Sequence, residues 1–281
     1  MSQELTQENN PEAAEVSHEA TIFAEPVFHI GNFTITNSLI SGWITVFILV
    51  TIFILIGKKL KKVPKGLQNI FELILEEALN LTDSITGSRK KTEKFLPIAL
   101  TLFLFILVNN WLGLLPGIGT IGFVENDGAH SVFVPIFRGA TADLNMTLGL
   151  SLFVVVLSHV FGVISLGIWN HLNKFVNFKT FLEIGKKIRK EPMVLMVNPI
   201  KAFVGIIEIV GEIAKVASLS LRLFGNIFAG EVLLASMMAI SAYILPIPFM
   251  FLELIVGIVQ AMVFAILTLA FMSIATTAEE H

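Results

Sequence analysis

The chain has 281 residues, 54% of them hydrophobic and 15% charged, with a net charge of −3 and a mean hydropathy of +0.80. Because a soluble domain carries about 25% charged residues and about 45–50% apolar ones, the composition excludes a soluble enzyme. Cysteine is absent, which excludes disulfides, thiolate metal sites and a cysteine nucleophile.

Five long stretches of the sequence contain no charged residue. They are 26–57, 95–124, 144–173, 232–252 and 254–278. A helix needs about 20 apolar residues to cross the hydrocarbon core of a membrane. The sequence therefore predicts an all-α integral membrane protein with about five membrane helices.

The basic residues are segregated along the chain. Of the 19 Lys and Arg residues, nine lie within 58–94, seven within 174–201, and none before Lys58. Basic loops stay on the cytoplasmic side of a membrane, so both clusters are predicted inside. The loop at 116–142 contains only Arg138 and is predicted outside.

The termini follow from the same rule. Residues 1–20 are polar and acidic, which predicts a disordered tail outside the membrane. Residues 21–281 are predicted to form a single polytopic membrane domain with a cytoplasmic C-terminus. A bacterial plasma membrane is the expected location, and the composition is also compatible with an organellar inner or thylakoid membrane.

The first four predicted elements are three spans and one surface helix. The spans cover about 37–57, 95–115 and 143–169. Between the first two, residues 66–86 place apolar side chains at helical spacing opposite a row of glutamates, which predicts an amphipathic helix on the inner surface or against a partner helix. Its apolar face consists of Leu67, Ile70, Phe71, Ile74, Leu75 and Leu79.

The last eighty residues predict two long helices. Residues 198–243 contain no turn signal beyond Pro199, and one helix of this length would measure about 69 Å. The hydrocarbon core is only about 30 Å thick, so this helix is predicted to be strongly tilted. Pro246 and Pro248 are predicted to connect it to a final helix at 249–278 and so form a hairpin.

These two helices carry polar residues at membrane depth, where an arginine costs roughly 3 kcal/mol on insertion scales. At 100° per residue, one stripe falls within about 40° of Arg222. Its other members are Glu208, Lys215, Ser218 and Asn226. Glu231 points away from this stripe. A guanidinium stays protonated, so Arg222 is predicted to be a fixed cation and not a proton carrier.

The final helix carries a second polar face. Glu253 and Gln260 are seven residues apart and share one side of the helix. If that side packs against Glu231, two carboxylates and an amide meet inside the membrane. Two such carboxyls cannot both ionise cheaply, which suits groups that pass protons.

Simpler interpretations exist for several of these residues. Glu212 and Lys215 are three residues apart, so the simpler interpretation is that they neutralise each other and have no further role. For Glu208, near the inner end of the helix, the simpler interpretation is a carboxylate that is solvated and has no role in an ion path. His159 and His171, on the third span, are predicted to be packing histidines.

Residues 218–231, Ser-Leu-Ser-Leu-Arg222-Leu-Phe-Gly-Asn226-Ile-Phe-Ala-Gly-Glu231, closely resemble the signature of subunit a of F-type ATP synthases. Residues 246–253, 260–265 and 141–147 also resemble that family, and 110–116 do so more weakly. The resemblance implies a stator whose Arg222 faces a ring of c subunits. It places Glu231, Glu253 and Gln260 along an outer half-channel. It also implies polar positions on the arginine helix, some toward an inner half-channel, at Asn226, Ser218, Lys215 and Glu208.

The resemblance implies no cofactor and no catalytic or metal-binding residue in this subunit alone. The implied partners are the c-subunit ring, peripheral-stalk b subunits and membrane lipid within an assembled ATP synthase, with no nucleic acid. Two departures from the family stand out. Some relatives place a histidine at the position of Glu231 or Glu253, so the relay here is predicted to use carboxylates. Others have an acid where this chain has Gly113, and Asp143 or Asn145 are the expected substitutes.

Two other classes of function compete with a stator. A stand-alone proton- or ion-coupled secondary transporter usually has internal repeats and broken helices, which the sequence lacks. An intramembrane enzyme needs a metal motif such as HExxH or a Ser/His dyad, and neither is present. The coupling ion and the size of a partner ring stay open, because both depend on the partner.

Overall fold

Seven α-helices, one short 3-10 helix (Ala140–Ala142) and two β-hairpins make up the described part of the chain. The computed structural model describes residues 21–58, 66–115, 117–127, 130–175 and 194–277. The helices are α1 (Asn37–Lys58), α2 (Leu67–Thr86), α3 (Arg89–Gly113), α4 (Leu144–Leu166), α5 (Ile168–Phe175), α6 (Val194–Ile240) and α7 (Pro246–Ala275). The predicted disordered tail at 1–20 lies outside the described residues.

Five of these helices are long and apolar enough to cross a membrane, namely α1, α3, α4, α7 and the part of α6 from Phe203 onward. The prediction of about five membrane helices is confirmed. The third predicted span is too long by three residues, because Gly167 ends α4 with a φ of +82° and starts the separate short helix α5.

Helix α6 is continuous over 47 residues, which corresponds to about 70 Å. Helix α7 runs back along it, and the two pack through a core in which Leu219 and Leu223 meet Ala261 and Phe264. The predicted long hairpin is therefore present, and its tilt in a membrane stays a prediction.

The prediction for Pro246 and Pro248 was wrong. Both residues lie in the first turn of α7 and not in the connection before it. Proline is favoured there because the first backbone N–H groups of a helix have no intrahelical partner and the ring already has a helical φ. The connection itself is formed by residues 241–245.

Two hairpins were absent from the sequence-based prediction. Strands β1 (Pro26–Ile30) and β2 (Phe33–Thr36) pair antiparallel, as do β3 (Gly122–Asp127) and β4 (His130–Pro135). The first hairpin lies in the uncharged stretch that also contains α1, so charge alone could not separate the two. The second occupies the loop that was predicted to lie outside.

Polar side chains join the spanning helices. Thr45 in α1 donates to the Asn109 side chain in α3 at 3.1 Å, and the Thr147 and Ser220 hydroxyls of α4 and α6 lie 3.2 Å apart. Lipid provides little hydrophobic driving force between helices, so such bonds contribute to their association. They fix the faces that the helices turn toward one another.

Helix α2 docks on the start of α3. The Arg89 guanidinium donates to Asp83 at 2.7 Å, and the hydroxyls of Thr86 and Thr92 lie 2.8 Å apart. The Thr92 hydroxyl and the Arg89 guanidinium hold the pKa of the Asp83 carboxyl below its usual value. Among the described side chains of α2, Thr82 and Thr86 are buried, whereas Ile74 of the predicted apolar face is exposed.

Candidate ion pathway

Arg222 lies on the outward face of α6. Its neighbours Leu219 and Leu223 are almost fully buried in the helix core, so the arginine side of the helix points away from it. Arg222 is exposed, and its Nη2–H group donates to Ser218 Oγ at 3.3 Å. Asn226, one turn further on, is exposed as well. The predicted polar stripe is therefore open at its centre, and Glu208 and Lys215 at its other end are half-buried.

A groove runs beside this stripe, between α6 and α7. Its polar lining comes from α6 through Lys215, Ser218 and Arg222, and its apolar lining includes Leu267 and Phe271 of α7. The groove brings the three polar side chains onto one accessible surface. An ion or a partner side chain that enters it meets two cations and a hydroxyl.

Glu231 binds Arg138 in a two-pronged ion pair. Arg138 Nε–H donates to Glu231 Oε1 at 3.0 Å, and Nη2–H donates to Oε2 at 2.8 Å. Such bidentate pairs are among the strongest hydrogen-bonded contacts in proteins. The remaining Arg138 donors reach the carbonyl oxygens of Thr21 and Phe23. Arg138 is only 5% exposed. Through these contacts it joins the N-terminal segment to α6.

Sequence analysis did not identify Arg138 as part of the site. Its partner Glu231 is 93 residues away, so no local spacing could pair them. One signal was present, because Arg138 is the only basic residue between Phe95 and Asn173. A lone arginine next to apolar stretches needs a nearby carboxylate.

Glu253 is buried at the interface of α6 and α7. It is 5% exposed, and its carboxylate packs against Gly230, where a Cβ would collide with it. Within the described residues, no hydrogen bond or ion pair joins the Glu253 carboxylate to another group. Glu253 thus lies beside Gly230, which precedes Glu231 in the chain. The Glu231 carboxylate itself binds Arg138. A proton shared between the two glutamates stays a prediction.

Gln260 lies two turns further along α7 and is half-buried. Between it and Glu253, Gly257 packs closely on Asn110 of α3, and the Asn110 amide donates to the Gly257 carbonyl at 3.0 Å. The Thr141 hydroxyl donates in turn to Asn110 at 2.7 Å. These bonds hold the middle of α7 against α3, at the level of the predicted outer path.

Asp143 and Asn145 differ in their surroundings. Asp143 is buried, caps α4 by accepting from the Asn145 backbone N–H at 3.0 Å, and accepts from Ser38 Oγ at 2.8 Å. The Asn145 side chain is exposed. Asp143 therefore has a capping role, and its predicted part in proton access stays a prediction.

Gly113 lies in close contact with Gly139, so a side chain there would require the neighbouring backbone to shift. A Cβ there would lie 3.2 Å from Gly139 Cα, which is tighter than ordinary packing. The close approach of the two glycines brings Arg138 beside the end of α3. Arg138 and Gly113 line a small cleft there together with Ser41.

Glu212 and Lys215 do form an ion pair, 2.7 Å from Nζ to Oε1. The pairing expected from their spacing is therefore present, and a role of either residue in an ion path stays a prediction. The second Glu212 oxygen lies 3.5 Å from His159 Nε2, and His159 Nδ1 lies 3.1 Å from His171 Nε2. The two histidines predicted only to pack are thus connected to the polar stripe.

These features define a class of protein. It is a multi-pass membrane protein whose longest helix exposes an arginine beside a groove, while glutamates occupy the other side of that helix. Intramembrane charges of this kind mark ion pathways, proton relays and similar functional sites.

Comparison with known proteins places the chain within that class. The family model described as ATP synthase A chain matches residues 39–273, so the chain belongs to this family. It is a membrane-sector subunit and not a catalytic one.

Several relatives are named ATP synthase subunit a. The protein from Moorella thermoacetica is 28% identical over 88% of this chain and 94% of its own length. That from Mycobacterium bovis is 36% identical over 78% of this chain and 77% of its own length. The protein from Syntrophobacter fumaroxidans is 30% identical over 86% of this chain and 84% of its own length.

Proposed function

We propose that this chain is the stator of the proton-translocating membrane sector of an F-type ATP synthase. Two offset half-channels in the chain deliver protons to, and accept them from, carboxylates on a rotating c-subunit ring. The observation that carries the proposal is Arg222. It is an exposed cation at mid-helix, and no carboxylate pairs with it within the described residues.

The chemistry of Arg222 fits a stator. A charge at membrane depth costs about 2.5–3.5 kcal/mol on insertion scales, so exposure to lipid alone is unfavourable and a polar partner is expected. A fixed guanidinium favours the ionised form of a ring carboxylate that approaches it. Because the guanidinium does not release its proton, it also separates the two half-channels and blocks a leak between them.

The two paths leave the arginine on opposite sides. The outer path uses Glu253 and Gln260 on α7, with Glu231 held in place by Arg138. Asp143 and Asn145 lie toward its outer end. The inner path follows the groove and the polar residues of α6, namely Asn226, Ser218, Lys215, Glu212 and Glu208.

The surroundings proposed for the chain follow from its charges and surfaces. The basic segments set the N-terminus outside and the C-terminus in the cytoplasm of a bacterial plasma membrane. The exposed apolar side chains of α6 and α7 suit the c ring and lipid. The peripheral-stalk b subunits complete the proposed assembly.

The proposal is tested by replacing Arg222 with alanine in the whole complex. We expect the variant to assemble and to lose proton-driven ATP synthesis, because the ring carboxylate loses its counter-charge. Lysine should substitute poorly, since its ammonium deprotonates readily on burial and would open a leak.

Arg89→Ala is the matched control, because Arg89 is an exposed arginine paired with Asp83 outside the pathway. Normal coupled synthesis in Arg222→Ala would refute the proposal. Copurification adds a second criterion. A stator should be isolated with a ring of small hairpin proteins, whereas a stand-alone transporter should not.

A further inference from the structure

A chain of titratable side chains runs from α5 to the groove beside Arg222. His171 Nε2 lies 3.1 Å from His159 Nδ1, and His159 Nε2 lies 3.5 Å from Glu212 Oε2. The other Glu212 oxygen accepts from Lys215 Nζ at 2.7 Å. Lys215 lines the groove together with Ser218 and Arg222. Three helices thus contribute to one connected set of polar groups.

The backbone is shaped to hold the outermost member of this set. Gly167 adopts a φ of +82°, which L side chains rarely adopt, and lets α5 turn back onto α4. The His171 ring then lies against Gly162, where a Cβ would be only 2.5 Å from His171 Cε1. His171 is 5% exposed. Two glycines therefore make the slot in which this imidazole meets His159.

A metal site does not explain the arrangement. Zinc ligands must converge on one ion at about 2.0–2.1 Å from each ligating nitrogen. His159 instead uses its two ring nitrogens in opposite directions, one toward His171 and one toward Glu212. That geometry is the one a proton shuttle requires, because an imidazole can accept a proton at one nitrogen and release the proton at the other.

We propose, resting on the proton-translocating function above, that His171, His159 and Glu212 relay protons between the α4–α5 end of the bundle and the Arg222 groove. In one transfer the N–H bond at His171 Nε2 breaks and an N–H bond forms at His159 Nδ1. Glu212 Oε2 accepts no hydrogen bond within the described residues, so the 3.5 Å separation from His159 Nε2 must first close to hydrogen-bond distance. The N–H bond at His159 Nε2 then breaks and an O–H bond forms at Glu212 Oε2. That O–H bond breaks in turn when water in the groove takes up the proton. Transfer in the reverse direction follows the same atoms.

Within the part of the chain that the structure describes, the following charged or titratable groups face the relay. From α5 the facing group is His171, and from α6 they are Glu212 and Lys215, with Glu208 one turn earlier. Lys215 also lies over the Phe271 ring of α7, 5.4 Å from its centre. Glu253, the only charged residue in α7, is eighteen positions away from Phe271 at the other end of the helix. Protonation of Glu212 would thus weaken its ion pair with Lys215.

The test uses the assembled complex in vesicles, with proton flux measured as a function of pH. His159→Gln and His171→Gln keep a polar side chain but remove the imidazole. We expect each to lose about tenfold of the flux, below the about 10²–10⁴-fold that a positioned proton-transfer group can contribute. The pH dependence of the flux should also change, because an amide cannot accept and release a proton as an imidazole does.

Gly162→Ala provides a variant that changes no titratable group. Its new Cβ would lie 2.5 Å from His171 Cε1 and 2.9 Å from the Ala275 carbonyl oxygen of α7, so it should displace the His171 ring and cause at least the flux loss of His171→Gln. Gly149→Ala, in the same helix with open space around it, and His29→Gln, in the exposed first hairpin, are the matched controls. Both should conduct like the unaltered complex.

The outcomes separate this relay from the proposed function. Unchanged flux and pH profile in both histidine variants would overturn the relay, and so would a loss that is equal at every pH, since that indicates packing only. If one histidine variant fails to assemble, the other and Gly162→Ala decide by the same criteria. Failure of the stator itself would appear in Arg222→Ala, whatever the histidine variants do.

Discussion

Two arginines of this chain have opposite surroundings. Arg138 is buried and its donors are taken up by Glu231 and by backbone carbonyls of the N-terminal segment. Arg222 is exposed, and its described hydrogen bond goes to Ser218. Since both guanidinium groups are always charged, their roles differ through their partners. One stabilises this chain, and the other is available to a second molecule.

The first residue-scale prediction concerns Arg138. Arg138→Gln should destabilise the chain by about 2 kcal/mol, since it removes hydrogen bonds to a charged group and leaves the Glu231 carboxylate unpaired. The double variant Arg138→Gln/Glu231→Gln should recover part of this loss. Thermal unfolding of the purified complex for the two singles and the double measures the coupling. Strictly additive changes would show that the ion pair contributes nothing.

The second residue-scale prediction concerns the two glutamates. Glu231→Gln and Glu253→Gln should each slow proton flux, and replacing both should cost little more than the worse single variant, as for members of one path. Passive flux through reconstituted membrane sectors measures all three. Glu253→Gln should be the more severe of the singles, because Glu231 is already bound to Arg138. Two singles that conduct normally would remove this pair from the outer path.

At the scale of the element, the α6–α7 contact depends on one glycine. Gly230→Ala should push the Glu253 carboxylate away from α6, because the added Cβ would collide with it. We expect a destabilisation of about 1–3 kcal/mol from overpacking, together with reduced proton flux. Gly149→Ala, which meets open space, should instead be neutral or stabilise its helix by up to about 1 kcal/mol. Equal behaviour of the two variants would mean that α7 adapts freely.

The sequence predicted those elements whose signals are local. Charge-free length predicted α1, α3, α4 and α7, and the absence of turn signals predicted α6. Helical spacing correctly placed Ser218, Arg222 and Asn226 on one face. The return of α5 onto α4 depends on a single glycine, Gly167, which local patterns do not distinguish from a loop residue. The Arg138–Glu231 pair depends on a contact across 93 residues. Such contacts arise from tertiary packing, and no periodic pattern in the sequence indicates them.

At the scale of the whole molecule, the orientation in the membrane can be tested directly. The chain has no cysteine, so single cysteines introduced at the exposed residues Asn32 and Ser84 report their side without background. We expect a membrane-impermeant thiol reagent to label Asn32→Cys from outside and Ser84→Cys only after the membrane is opened, because the basic segments stay inside. Labelling in the opposite order would invert the topology.

The ion pair between Arg138 and Glu231 also has a consequence for biogenesis. Ribosomes add about 5–20 residues per second, so the 93 residues between the two partners take about 5 to 20 s to synthesise. During that interval the nascent chain contains a guanidinium whose carboxylate does not yet exist. The contacts of Arg138 with Thr21 and Phe23 can form earlier, since those residues emerge first. The contacts of Arg138 are therefore expected to form in two stages. Arg138 first binds the N-terminal segment, and Glu231 of α6 pairs with it later.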